Sequence, residues 1–146
     1  MTRSTLDRQV ELRLLDNDIR FTKGRRAVVD AMSEASGPMS AAELSDLLGS
    51  AVPLSSLYRT LAILEEAGVA VHHLGGKGMT RYELAEWLTG HHHHLVCVVC
   101  GSVEDVEISD GEEETLQELV SEIGVKNDFE PTHHALEIEG RCSDCS

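Results

Sequence analysis

Residues 53–84, PLSSLYRTLAILEEAGVAVHHLGGKGMTRYEL, change their repeat halfway along. After Pro53, Leu57, Leu61 and Leu64 (with Ala62) recur at helical spacing, and Gly68 stands where a helix C-terminal cap belongs. Beyond it, Val69 to Val71 and Met79 to Leu84 read as two strands around the glycine turn Gly75-Gly76-Lys77-Gly78. A helix feeding directly into such a ribbon is the second half of a winged helix.

The upstream residues supply the rest of that module. Over residues 5–16, Leu6, Val10, Leu14 and Leu15 share one helical face. Thr22 is placed to cap a second helix whose apolar stripe is Ala27, Val28, Ala31 and Met32, and Gly37-Pro38 ends it. Ser40-Ala41-Ala42-Glu43 reads as a capping box opening a short helix to Leu48. Downstream, Trp87, Leu88 and Gly90 fall in a linker; residues 91–99, 103–108 and 133–139 alternate like strands, and 112–123 has helical spacing. The expected fold is α+β: a winged-helix domain over 1–84, a hinge linker over 85–90, and a second, mixed domain over 91–146.

Charge divides along the same line. The chain of 146 residues carries a net charge of -14. Residues 1–84 hold 10 Lys and Arg against 11 Asp and Glu, whereas residues 85–146 hold 2 against 15. The first part clusters Arg20, Lys23, Arg25 and Arg26; the second is a carboxylate-rich body that DNA repels. No run of 18 apolar residues and no signal peptide is recognisable, so a cytoplasmic, non-membrane protein is expected.

In a helix–turn–helix the second helix enters the major groove with its first residues on base edges. Here those residues are Ser55, Ser56, Tyr58 and Arg59. Arg20 is placed to reach a minor groove, and Lys77 at the wing tip suits a phosphate. The same helical pattern is compatible with a protein-interaction domain with solvated charges.

The second domain is dominated by metal donors. Cys97-x-x-Cys100 and Cys142-x-x-Cys145 are two pairs able to close over one tetrahedral Zn²⁺. The competing reading, redox dithiols, expects a CxxC at the start of a helix, and these pairs follow strands. His91-His92-His93-His94 runs straight into Cys97, and a strand turns successive side chains to opposite faces. One run can therefore feed two sites. Glu83 can reach the His92/His94 face; His134 and a carboxylate of the acidic helix can reach the His91/His93 face. His72 and His73 are adjacent, so at most one of them joins a given site, and His133 is expected at the surface.

Taken together, these residues resemble the ferric uptake regulator family of bacterial metal-dependent repressors. Carrying the resemblance are Arg20-x-Thr22-x-x-Arg25, Leu57-Tyr58-Arg59-Thr60-Leu61, Glu66-Ala67-Gly68-Val69, Arg81-Tyr82-Glu83-Leu84, HHHHLVCxxCG and Gly140-x-Cys142-x-x-Cys145. The resemblance implies a homodimer that binds double-stranded operator DNA when a regulatory metal is loaded, with a C-terminal α/β dimerisation domain. It implies DNA contacts at Arg20 and Tyr58, structural zinc at Cys97, Cys100, Cys142 and Cys145, a regulatory hinge site at Glu83, His92 and His94, and a third site at His91, His93, His134 and a helix carboxylate. Counting from Gly124 selects Glu113 for that carboxylate; counting from Cys100 selects Glu112.

Two departures stand out. Gly37-Pro38-Met39 occupies the place of a fourth hinge ligand, so the site is expected either to be completed by water or to recruit His72 or His73. Pro53 takes the place of the usual Ser or Thr at the start of the recognition helix, a first-turn position that proline tolerates. The expected function is a metal-responsive repressor of metal homeostasis genes. The nitrogen and oxygen donors of the hinge set accept Fe²⁺, Mn²⁺ or Zn²⁺, and affinity order alone favours Zn²⁺ over Fe²⁺. Zinc-sensing members of the family often include a Cys in this site, so the resemblance implies Fe²⁺ as the sensed ion, with Zn²⁺ sensing the alternative. Readings of another class are a zinc-storage protein and a two-His-one-Glu metalloenzyme. No general acid or base is recognisable beside the hinge set, so no enzyme and no small-molecule substrate are expected.

Overall fold

A computed structural model describes residues 2–146. Its helices and strands carry the α+β class expected above. Helix α1 (Arg3–Asp16) drops Leu6, Val10 and Leu14, spaced by one turn each, into the core. Thr22 caps α2 (Lys23–Glu34) by accepting the Arg25 amide at 3.3 Å. Strand β1 (Met39–Ser40) leads into α3 (Ala41–Leu48), and a short turn later comes α4 (Leu54–Glu66). The chain bends by 119° between the segments Ala41–Ala51 and Leu54–Glu66. That angle belongs to helix–turn–helix units.

Two local expectations change in detail. Ser40 Oγ accepts the Glu43 amide at 3.1 Å, but the Glu43 carboxylate turns to Arg81 Nη1, 2.9 Å away, rather than back to its own cap. Buried Arg81 needs a counter-charge, and the Glu43 carboxylate supplies it. Pro53 stands at the N-cap of α4 instead of inside its first turn and offers no side-chain bond, so the helix starts uncapped.

Strands β2 (Ala70–Leu74) and β3 (Thr80–Leu84) form the antiparallel wing, pairing Val71 with Glu83 and His73 with Arg81. β1 adds to the other side of β3, giving a three-stranded sheet of order β1-β3-β2. The linker is not extended: Glu86–Thr89 forms a short helix, α5, and Leu88 belongs to the first core. Trp87 Nε1–H donates to Gly68 O at 2.7 Å while Arg13 covers its ring.

A second sheet follows, of order β5-β4-β6. In it β4 (His93–Cys97) runs antiparallel to β5 (Val103–Val106) and parallel to β6 (Glu137–Gly140). Helix α6 (Asp110–Lys126), capped by Ser109, crosses between them in sequence. The strands are shorter than the alternation suggests. β4 is only five residues long and its pairing with β6 begins at His94 opposite Glu137, so residues 133–135 precede the ladder and Leu136 reaches it only through its carbonyl, which accepts the His94 N–H at 3.2 Å. At the other end Cys97 already begins the turn to Gly101, whose φ of 79° suits glycine.

Burial is lopsided. The main apolar cluster draws every buried member from Leu6 to Leu88, including Leu44, Leu57, Leu61 and Leu64. Beyond His91, the buried apolar side chains are Val96, Cys97 and Val103. α6 buries only Gly124. The second unit therefore cannot rest on apolar burial of its own, and staples of another kind are required. One tight contact between the two units lies at Gly37: a Cβ there would meet Val103 O at 2.4 Å, and beside it Asp105 N–H donates to Ser36 O at 3.0 Å. Among the described residues no single helix is long and apolar enough to cross a membrane.

Candidate metal centres

The four cysteines gather where β4 ends and the chain terminus returns beside it. β6 pairs with β4 as far as Cys97 opposite Gly140, which delivers Cys142 and Cys145 to the Cys97–Cys100 turn. All four are free thiols, and their sulfurs lie within 4.8 Å of one another. Cys100 Sγ and Cys142 Sγ are 3.9 Å apart. Sulfurs about 2.3 Å from one tetrahedral ion sit about 3.8 Å from each other, whereas a disulfide needs about 2.05 Å. The donor set and its spacing fit zinc. The Cys142 N–H donates to Cys97 Sγ at 3.4 Å. Such backbone amides favour the thiolate and pull Cys97 down to about 6, while its thiol neighbours push Cys145 up to about 12. Four thiols this close cannot all ionise without a cation among them.

The second cluster spans the two units. Glu83 at the end of β3 meets His92, His94 and Asp105, with donors again within 4.8 Å of one another. His92 Nε2 lies 2.9 Å from Glu83 Oε2, and His94 Nε2 lies 3.2 Å from Glu83 Oε1. Both imidazoles are 3.4 Å from Asp105 Oδ1. On its far side His92 Nδ1–H donates to Gly90 O at 3.1 Å, which turns Nε2 towards the cluster. The side chains of Glu83, His92 and His94 are nearly buried. Burial alone would raise Glu83, but three imidazoles on its oxygens hold it well below the usual carboxylate range. Asp105 and Glu83 together raise His94 to about 9, and His92 is raised against its own burial by Glu83. Nitrogen and oxygen donors of this kind fit a borderline divalent ion.

The third cluster takes the opposite faces of the same run. Glu113 Oε2 is 2.7 Å from His93 Nε2, and Glu113 Oε1 is 2.8 Å from His134 Nε2 and 3.1 Å from His91 Nε2. Glu113, not Glu112, faces the histidines; Glu112 stands one residue earlier, where its amide is capped by Ser109 at 3.2 Å. The imidazoles hold Glu113 below the ordinary range, His93 first among them. His93 is buried, with Nδ1 lacking a partner, and Glu86 takes His91 Nδ1 from outside.

Sequence reasoning missed two of these groups. Asp105 sits directly opposite His94 in the β4–β5 ladder, a pairing that requires the register. Its signal was the alternation of Val103, Asp105 and Glu107 on one face of the second strand. Glu86 lies on α5, a helix concealed within the expected linker. His72 and His73 part company: His72 Nδ1 pairs with Glu65 at 2.9 Å, His73 Nε2 with Glu83 Oε1 at 2.6 Å. His133 is exposed.

At the other end of the molecule, α4 buries Leu57, Thr60, Leu61 and Leu64 and turns Ser55, Ser56, Tyr58 and Arg59 to solvent. Arg20 is exposed just before α2, and Arg25 Nη1 donates to its carbonyl at 2.6 Å. Lys77 is exposed at the wing tip, in a left-handed conformation with φ of 62°.

The profile of the ferric uptake regulator family matches residues 16–139. A ferric uptake regulation protein of Neisseria meningitidis serogroup A is 33% identical over 136 residues, 90% of each chain. Among solved structures, the Vibrio cholerae ferric uptake regulator superposes with a TM-score of 0.69 at 29% identity, covering 88% of this chain and 96% of that one. A zinc uptake regulator complexed with zinc and DNA superposes at 0.59 with 27% identity over 99% and 95%. By sequence over most of its length and by fold, this chain belongs to the ferric uptake regulator family of transcriptional regulators.

Proposed function

We propose that this protein is a cytoplasmic, metal-activated repressor that binds operator DNA as a homodimer and has no catalytic role. The observation that carries the reading is the hinge cluster. Glu83 comes from the wing, and His92, His94 and Asp105 come from the second unit. A divalent ion held by these residues supplies positive charge that ties the two units together. The residues themselves fix where the wing and α4 stand. In this reading residues 1–84 bind DNA, 85–90 are the hinge, and 91–146 dimerise. Ser55, Ser56, Tyr58, Arg59, Arg20 and Lys77 face the duplex. Cys97, Cys100, Cys142 and Cys145 hold structural zinc, and His91, His93, Glu113 and His134 form a third site.

Homodimerisation is supported by what the second unit leaves uncovered. Leu119 and Ile123, one turn apart on α6, are each about half exposed, as is Ile138 on β6. A unit with so little core of its own needs a second copy against that face.

Linkage gives the switch its physics. If the ion binds the closed arrangement better than the open one, it raises DNA affinity, and DNA raises ion affinity by the same factor. The hinge donors are nitrogen and oxygen with no thiolate, and because zinc-sensing relatives often place a Cys in this site, Fe²⁺ is the first reading for the sensed ion. Zinc is the second reading, supported by the solved relative that holds zinc and DNA. The test is operator binding by fluorescence anisotropy at fixed salt, with Fe²⁺, Mn²⁺ or Zn²⁺ added anaerobically to the zinc-loaded dimer. One ion should strengthen binding at its physiological concentration, and His92→Ala should abolish that response. Equal DNA binding with and without ion would sink the proposal.

A further inference from the structure

His73 is the one histidine near the hinge that the four-donor cluster does not absorb. It sits on β2, diagonal to Glu83 across the β2–β3 ladder and on the same face of the sheet. Its Nε2 lies 2.6 Å from Glu83 Oε1, the shortest contact any imidazole makes to that carboxylate among the described residues. Its ring is tilted against His94 at 4.9 Å. The donors that converge within 4.8 Å are Glu83, His92, His94 and Asp105, and His73 is not in that set.

A carboxylate has two oxygens to dispose of. Glu83 Oε2 has His92 as its nearest imidazole at 2.9 Å, Oε1 has His73 at 2.6 Å, and His94 Nε2 lies between the two oxygens at 3.3 and 3.2 Å. We propose that His73 is a positioning residue for the hinge site: its Nε2–H donates to Glu83 Oε1, holding the carboxylate so that Oε2 is the oxygen presented to a divalent cation. This rests on the hinge reading above. It also gives the site a second anchor on the wing. β2 ends at Leu74, and the chain then turns through Lys77, so the residue that orients the ligand belongs to the ribbon reaching towards DNA. Partners that orient a ligand in this way are worth roughly 10–100-fold in metal affinity.

The test uses the full dimer with zinc left at the cysteines and the third site silenced by His134→Ala. Co²⁺ is titrated and followed by its visible absorption. His73→Ala should weaken hinge binding by about tenfold or more. His73→Gln, whose amide N–H stands near the imidazole Nε2–H, should recover most of the loss. Neither variant should change the shape or intensity of the saturated band, because the ligand atoms are the same. Wild-type affinity in His73→Ala would overturn the proposal. So would equal weakening in both variants with an altered band, which would make His73 itself a ligand. Glu83→Ala separates the levels: if it too leaves Co²⁺ binding unchanged, the hinge reading falls along with this one.

Discussion

Loading the hinge site should release protons, and the structure indicates how many. In the metal-free protein His92 has an acceptor at each nitrogen, Gly90 O at 3.1 Å and Glu83 Oε2 at 2.9 Å. An imidazole flanked by two acceptors is held as the imidazolium. His94 is raised to about 9 by Asp105 and Glu83. A divalent ion needs the neutral nitrogen, so it must displace those protons. At pH 7, removing one proton from a group titrating near 9 costs about 3 kcal/mol, roughly a hundredfold in apparent affinity. The sign follows from the raised pKa: the penalty is greatest at low pH and disappears as pH rises through about 9. Glu83 lies well below the usual range and stays ionised throughout, so it adds no slope. Affinity should therefore climb nearly tenfold per pH unit between about 6.5 and 8.5 from His94 alone, more if His92 contributes. Calorimetry of Mn²⁺ binding in buffers of different ionisation enthalpy, with zinc retained and His134→Ala in place, counts the protons directly. One to two protons released per ion at pH 7 is the expected result. No proton release, or affinity flat across that window, would mean that the hinge imidazoles do not carry these protons.

Three further outcomes follow from packing and from the cysteine site. Leu61→Ala removes a side chain only 1% exposed in the main core and should cost about 2–5 kcal/mol in chemical denaturation while leaving bound zinc unchanged. Cys142→Ser should lose stoichiometric zinc by elemental analysis and release β6 from β4, seen as lost amide protection over 137–140 and ready proteolysis of the C-terminal segment. Gly37→Ala sets a methyl 2.4 Å from Val103 O, and backbone cannot give way as a flexible side chain can. The two units must shift apart there, so hinge-site affinity for Mn²⁺ should fall while zinc at the cysteines stays.

The winged helix was legible because its signals are local. Leu57, Leu61 and Leu64 repeat at helical spacing, Gly68 stops the helix, and the ribbon alternates around glycines. The even spacing of His91 to His94 was also enough to split the run between two faces. What stayed hidden depends on pairing between distant segments. Asp105 meets His94 only because of the β4–β5 register, and Glu113 is distinguished from Glu112 only by the phase of α6 after its Ser109 cap. Glu43 follows the capping-box pattern, yet buried Arg81, 38 residues away in sequence, claims its carboxylate. Strand limits were overestimated for the same reason: alternation persists to His133, but β4 is too short to offer a partner there.

In the proposed switch, an ion at the hinge and DNA at α4 act on one equilibrium. The most direct measurement is the Mn²⁺ affinity of the hinge site with and without saturating operator duplex, at fixed pH and salt. DNA should tighten Mn²⁺ binding by the same factor by which Mn²⁺ tightens DNA binding. Mn²⁺ affinity that is indifferent to DNA would contradict it.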